Sequence, residues 1–156
     1  MLRFALGIAL ALALPVQGMA QGAPDPTAAQ IRALETCVDR ASHGAPQASV
    51  VAACTGRTAC ADQTTVGIAQ CLQTETAAWD VLLNRWWKPM KARAQADGSW
   101  NRLLASQRKW IKDRDAACEK AYNDAGGGSI RVIWAAECFR DRTAAKAVEF
   151  YHALYR

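Results

Sequence analysis

Six cysteines constrain this chain of 156 residues more than any other feature. Cys37, Cys54, Cys60, Cys71, Cys118 and Cys138 allow fifteen pairings, so the connectivity needs a geometric argument. His43-Gly44-Ala45-Pro46 sits midway between Cys37 and Cys54, and Gly126-Gly127-Gly128-Ser129 sits midway between Cys118 and Cys138. An antiparallel helical hairpin about each of these turns brings its two flanking sulfurs together. Across the polar connection 61–65, Cys71 is about two helical turns into the next helix, within reach of Cys60. The expected pairs are therefore Cys37–Cys54, Cys60–Cys71 and Cys118–Cys138. Three disulfides also suit an exported chain with an even cysteine count. A metal set is the weaker reading, because there is no C-x-x-C couple and His43 and His152 lack ligand spacing. No metal and no cofactor is expected.

The first residues point to export. Met1-Leu2-Arg3 gives a positive start, 4–14 is apolar, Pro15 ends the run, and Gly18-Met19-Ala20 supplies small residues for a signal peptidase. This reads as a secretory signal over 1–20, cleaved after Ala20. The apolar run is too short for a membrane span. A flexible lead over 21–26 and a single domain over 27–156 follow. The expected location is the periplasm or the medium. Removing the signal takes Arg3 with it and leaves 18 basic against 14 acidic residues, a mature net charge of +4. The basic residues are spread along the helices, so the excess is a solvated surface with a mild preference for anionic partners such as an envelope polymer. Export disfavours nucleic acid as a partner.

The apolar spacing predicts an all-α fold, a small disulfide-stapled bundle of antiparallel helices. It has three main helices and an N-terminal helical hairpin. Thr27 caps a helix over 28–42, and a short helix follows over 47–55. Thr64 or Thr65 caps a long helix over 66–96. Its seam of Ala69, Leu72, Thr76, Trp79, Leu83, Trp86 and Met90 repeats at three-four spacing. Pro89 falls inside that helix and predicts a bend over 85–89. Asp97-Gly98-Ser99 ends it and caps the next helix, 100–123. That helix organises the chain on this reading, with Trp100, Leu103, Leu104, Trp110, Ile111, Ala117 and Cys118 as its apolar face. The last helix, 130–153, carries Trp134, Cys138, Ala145 and Val148 along its face, with Tyr151 and Tyr155 near its end.

Two helices carry polar residues on or beside their seams. Asp80 and Asn84 lie one turn apart on the first, and Gln107 and Arg114 lie on the second. The short connection at Asp97 makes these helices antiparallel, which sets Asp80 and Arg114 at similar height. The expectation is a buried Asp80–Arg114 pair with Asn84 and Gln107 completing its hydrogen bonds. Such a network fixes register and is not a reaction centre.

The pieces Cys71-Leu72-Gln73-Thr74-Glu75, Trp79-Asp80-Val81-Leu82-Leu83-Asn84, Leu103 through Trp110, Arg114-Asp115-Ala116-Ala117-Cys118, Gly126-Gly127-Gly128 and Cys138 with Arg142-Thr143 form an ordered pattern. It resembles the exported bacterial domain family typified by the N-terminal domain of the lysozyme inhibitor LprI, over about 37–151. The resemblance implies a small disulfide-stapled helical domain outside the cytoplasm and, for at least one member, inhibition of lysozyme. Two features depart from the family. Trp87 stands where it usually has Tyr, and the lipobox of its lipid-anchored member is missing here. The resemblance assigns no inhibitory residue to this chain.

Two functions are weighed. One is a binding protein that blocks a lysozyme-like muramidase by inserting a loop into its cleft, against the catalytic carboxylates. Gly127, Gly128, Ser129 and Arg131, stapled by Cys118–Cys138, supply such a loop; the alternative is a turn that merely reverses the chain. A +4 protein is not steered toward strongly cationic lysozymes. The other is an envelope interaction or stress-protection domain with no lysozyme link. It would bind a protein or glycan through a groove at Trp87 with Met90 and Arg93. Catalysis is not expected, since there is no nucleophile elbow, no H-E-x-x-H and no phosphate loop.

Overall fold

The computed structural model describes residues 23–58 and 60–156. The expected signal peptide, 1–20, and the start of the lead at Gln21 and Gly22 lie outside them. Five helices form: α1 (Ala28–Ala41), α2 (Gln47–Cys54), α3 (Thr65–Ala96), α4 (Trp100–Asp124) and α5 (Ile130–Tyr155). No strand occurs among the described residues, and no helix there is long and apolar enough to cross a membrane.

Local chemistry sets the helix ends. Thr27 closes a capping box on α1: its Oγ1 accepts from the Gln30 N–H at 3.2 Å, and Gln30 Oε1 accepts from the Thr27 N–H at 2.7 Å. Thr64 caps α3 by accepting from the Gly67 N–H at 3.0 Å. Just before it, Asp62 Oδ1 accepts from the Thr64 N–H at 2.8 Å. Hydrogen bonds from Thr64 hold the Asp62 carboxyl below its ordinary value. The Asp62 side chain folds so tightly over α3 that a Cβ at Gly67 would lie 2.2 Å from it. Ser99 departs from expectation, since its side chain makes no capping bond. Asp97 Oδ1 accepts from the Ser99 N–H at 2.8 Å and organises that turn instead. Pro89 lies inside α3, which continues to Ala96. In the lead, the Pro24 carbonyl accepts from buried Thr74 Oγ1 at 2.9 Å, which ties that end to α3.

The helices alternate in direction, so α1, α3 and α5 run parallel and α2 and α4 return. At one end of the α3–α5 pair Thr65 Oγ1 meets Ser129 Oγ at 3.4 Å; near the other end Arg93 donates to the Ala153 carbonyl at 3.0 Å. These two helices form the central packing surface. Between them and the α1–α2 hairpin lies the main core, with Val38, Val50, Trp79, Leu82, Ala144, Ala147 and Val148 fully or almost fully buried. A smaller cluster of Ala69, Leu72 and Ala136 fills the opposite half of the α3–α5 seam. Three disulfides staple the chain, Cys37–Cys54, Cys60–Cys71 and Cys118–Cys138, and no cysteine is free.

The helix expected to organise the chain is peripheral. In α4 only Cys118 is buried; Leu103, Leu104 and Trp110 are half-buried, and Ile111 is 39% exposed. The physical reason is that α5 takes the α3 seam. Left without it, α4 docks on α5, where Arg114 lies over the Phe139 ring at 5.4 Å and Trp110 receives Lys146 at 5.7 Å. Hairpin connectivity made α3 and α4 neighbours in sequence, but α3 makes its main contacts with α5.

Candidate functional site

The glycine turn between α4 and α5 forms a tip. Gly126, Gly127 and Gly128 have φ of 72°, 104° and 72°. Three successive residues in that region are accessible only to glycine without strain. The Cys118–Cys138 bridge, with Cα atoms 5.4 Å apart, clamps the two helices two turns below the tip. Ser129 precedes α5 without a side-chain cap, since its hydroxyl meets Thr65 Oγ1 and ties the tip to the start of α3.

Apolar side chains gather at this end in the open. Ile130 is 44% exposed and Trp134 is 46% exposed, and Val66 at the start of α3 is exposed as well. The expected burial of Trp134 on the α5 face is therefore corrected: α4 and α3 cover other sides of α5 and leave this one bare. Arg131 is exposed, and its guanidinium lies over the Tyr122 ring at 4.8 Å. Stacking of this kind holds the charge in a defined direction without neutralising it. Arg131 forms no ion pair among the described residues. Behind the tip Tyr122 also borders a cleft of about 330 Å³ between α3 and α4, floored by Val132, Ala136 and Phe139 of α5 with Gln73 and Thr76 on its rim.

The buried polar network expected of Asp80, Asn84, Gln107 and Arg114 does not form. Asp80 and Asn84 are exposed and bond each other, with Asn84 Nδ2 donating to Asp80 Oδ2 at 2.9 Å. Arg114 pairs instead with Asp115 at 2.8 Å and lies over the Trp110 ring at 5.0 Å. Gln107 is half-buried with Oε1 unpartnered in the described structure. The cause is again the docking of α4 on α5, which leaves the two polar pairs on separate helices with no bond between them. Trp87, a candidate partner-binding residue, is half-buried; its ring stacks on Phe150 at 5.6 Å and lies 5.9 Å from Trp100. Trp86 is core, edge-on to Tyr151 at 5.1 Å.

The polar groups hidden in the fold are others. Glu75, only 2% exposed, accepts from the Gly56 N–H at 2.8 Å and from Trp79 Nε1 at 3.4 Å. Tyr151 donates to Asp39 at 2.6 Å; burial and the nearby Asp39 carboxylate push its phenol above the ordinary value. His152 Nε2 meets buried Ser42 Oγ at 3.2 Å. Buried Lys146 pairs with Glu149 at 2.7 Å and lies over Phe150. The Glu75, Tyr151 and His152 contacts tie separate segments together, whereas the Lys146 pair lies within α5. Among the described residues no group of three or more His, Cys, Asp or Glu is placed to hold a metal ion.

No curated protein and no solved structure matches the chain. A family model does, over residues 54–150, from the last residue of α2 through most of α5. That span is shorter at its start than the resemblance suggested: it takes in α3, the tip and the Cys60–Cys71 and Cys118–Cys138 bridges, and leaves α1 outside. On that match, which covers more than half of its length, the chain belongs to the family of the lysozyme inhibitor LprI.

Proposed function

We propose that this protein is an extracytoplasmic inhibitor of a lysozyme-type muramidase and that the tip at 126–131 is its inhibitory element. Family membership supports the class, and the three disulfides suit an oxidising compartment. The observation that carries the choice of element is the joint exposure of Ile130, Arg131 and Trp134 in the first turns of α5, beside a glycine turn clamped by Cys118–Cys138. A muramidase cleft is concave and carries acidic catalytic groups. It is complemented by a projection with apolar anchors and one oriented, unpaired cation. The clamp matters because a preordered projection loses less conformational freedom on binding.

The test is a titration of the mature protein into cell-wall turnover assays with muramidases of several lysozyme classes. Inhibition at micromolar protein is expected for at least one class. Arg131→Ala and Trp134→Ala should each weaken it by about tenfold or more, the loss typical of a buried interface anchor. No inhibition of any class rejects the function. Undiminished inhibition by both variants moves the inhibitory element elsewhere.

A further inference from the structure

The outward face of the N-terminal hairpin carries a second concave surface. Arg32, Thr36 and Arg40 of α1, with Ala53 of α2 and Arg57 just beyond it, line an open cleft of about 780 Å³. The Cys37–Cys54 bridge crosses between the two helices, and Cys37 contributes to the cleft wall. The three guanidinium groups are exposed, and none forms an ion pair among the described residues. Of the carboxylates on α1, Glu35 pairs with Arg85, while Asp39 accepts from the Tyr151 hydroxyl and keeps its charge, so the three arginines outnumber the one unpaired acid beside them. Arg57 Nε donates to the Ala53 carbonyl, which leaves its two terminal nitrogens free to donate.

We propose that this cleft binds an extended polyanionic glycan, with Arg32, Arg40 and Arg57 contacting successive anionic groups along it. Arg32 and Arg40 are eight positions apart on one helix, about 12 Å along its axis. A chain with repeating carboxylate, sulfate or phosphate groups can follow that span from one guanidinium to the next, which a single small anion does only if the side chains converge on it. The guanidinium fork suits each of these oxyanions. Two other polyanions fit less well. No aromatic side chain lines the cleft, so nucleic-acid bases find no stacking platform. No large exposed apolar side chain lies there either, so a bilayer surface has nothing to insert. The cleft is built on α1 and α2, whereas the tip joins α4 to α5, and of the residues lining the cleft only Arg57 falls within the family match.

Binding of a fluorescent heparin oligosaccharide, the probe glycan, is measured at low salt and again with salt added. The wild type should bind saturably, and R32A/R40A/R57A should weaken binding by about tenfold or more, since charge-assisted contacts are lost at three points. A control variant, R102A/R108A/K112A, removes the same charge from exposed positions on α4 and should weaken binding by less than about threefold, as expected of long-range attraction alone. Thermal melts of both variants check that the fold is kept. Equal weakening by the two variants, or none in the hairpin variant, overturns the proposal. So does full competition by inorganic phosphate at millimolar concentration, which would make the cleft a single-anion site. Stronger arginine-dependent binding of single-stranded DNA or anionic phospholipid vesicles than of the oligosaccharide overturns it as well.

Discussion

Glu75→Ala tests whether a hidden carboxylate ties the hairpin to the long helix. Glu75 is almost wholly buried on α3, and its Oε1 is the acceptor for the Gly56 N–H at 2.8 Å, just past the end of α2. The same oxygen takes the longer bond from Trp79 Nε1 at 3.4 Å. Removing it strands the buried Trp79 Nε1–H and frees the Gly56 N–H, which is only partly buried; a buried donor left unpaired costs about 1–3 kcal/mol. Water can reach the Gly56 N–H, so the stranded Trp79 donor and the void left among buried neighbours carry most of the loss, about 3 kcal/mol in total. For a chain of this size that corresponds to a fall in Tm of about 10 °C. Glu75→Gln keeps an oxygen in place and should lose only about 1 kcal/mol. Urea unfolding with the disulfides intact measures both variants, provided that the slope with denaturant is unchanged. A Glu75→Ala loss below about 0.5 kcal/mol would show that the carboxylate is not a tether. Equal losses for the two variants would show that the charge matters and not the acceptor.

Gly67→Ala puts a Cβ at 2.2 Å from the Asp62 side chain, so the 61–64 turn must shift. The variant should lose about 1–3 kcal/mol in the same urea assay, as overpacked sites do. A double-mutant cycle on Asp80→Ala and Arg114→Ala should give a coupling energy below about 0.3 kcal/mol, because Asp80 bonds its own helix and Arg114 bonds Asp115. A larger coupling would restore the network between α3 and α4. Tyr151 holds its proton more tightly in the fold than at its ordinary value of 10.0. The stability it contributes is therefore complete below pH 10.0 and is lost as pH rises from there through the raised folded value. Tyr151→Phe should cost about 1 kcal/mol at neutral pH by losing the bond to Asp39 and should flatten that alkaline decline, read from urea midpoints across the range.

What the sequence made legible was local. The cap at Thr27, a cap at Thr64 or Thr65 and the helix ends to within about two residues depend on residues within a turn of each other, and cysteine couples about a turn report on one hairpin at a time. What it hid was which helix covers which. A three-four repeat marks the apolar face of α3 but does not say whether α4 or α5 lies against it. The loop at 97–99 makes α4 the nearer choice, yet α5 wins because Trp79, Leu82 and Trp86 can share one core with Ala144, Ala147, Val148 and the hairpin residues Val38 and Val50. Every error at the polar positions follows from that one assignment. With α4 docked mainly on α5, Asp80 and Asn84 face solvent and Arg114 turns to Phe139.

Glu75 was readable and was missed. It sits three residues after Leu72 and four before Trp79, on the seam itself, and a carboxylate at such a place needs a donor from another element. Trp134 was not readable in the same way, since an apolar residue at helical spacing looks alike whether covered or bare. Its exposure beside Ile130 and Arg131 arises because α3 and α4 leave that side of α5 open beside the glycine turn. A stabilising residue and a residue of the proposed inhibitory tip thus have opposite signatures here. The first is polar on an apolar stripe, and the second is apolar on a stripe that the fold does not close. The same contrast separates the tip, where bare apolar side chains suit a protein cleft, from the hairpin, where unpaired guanidinium groups over a wall of Ala, Thr and Cys suit a hydrated anionic chain.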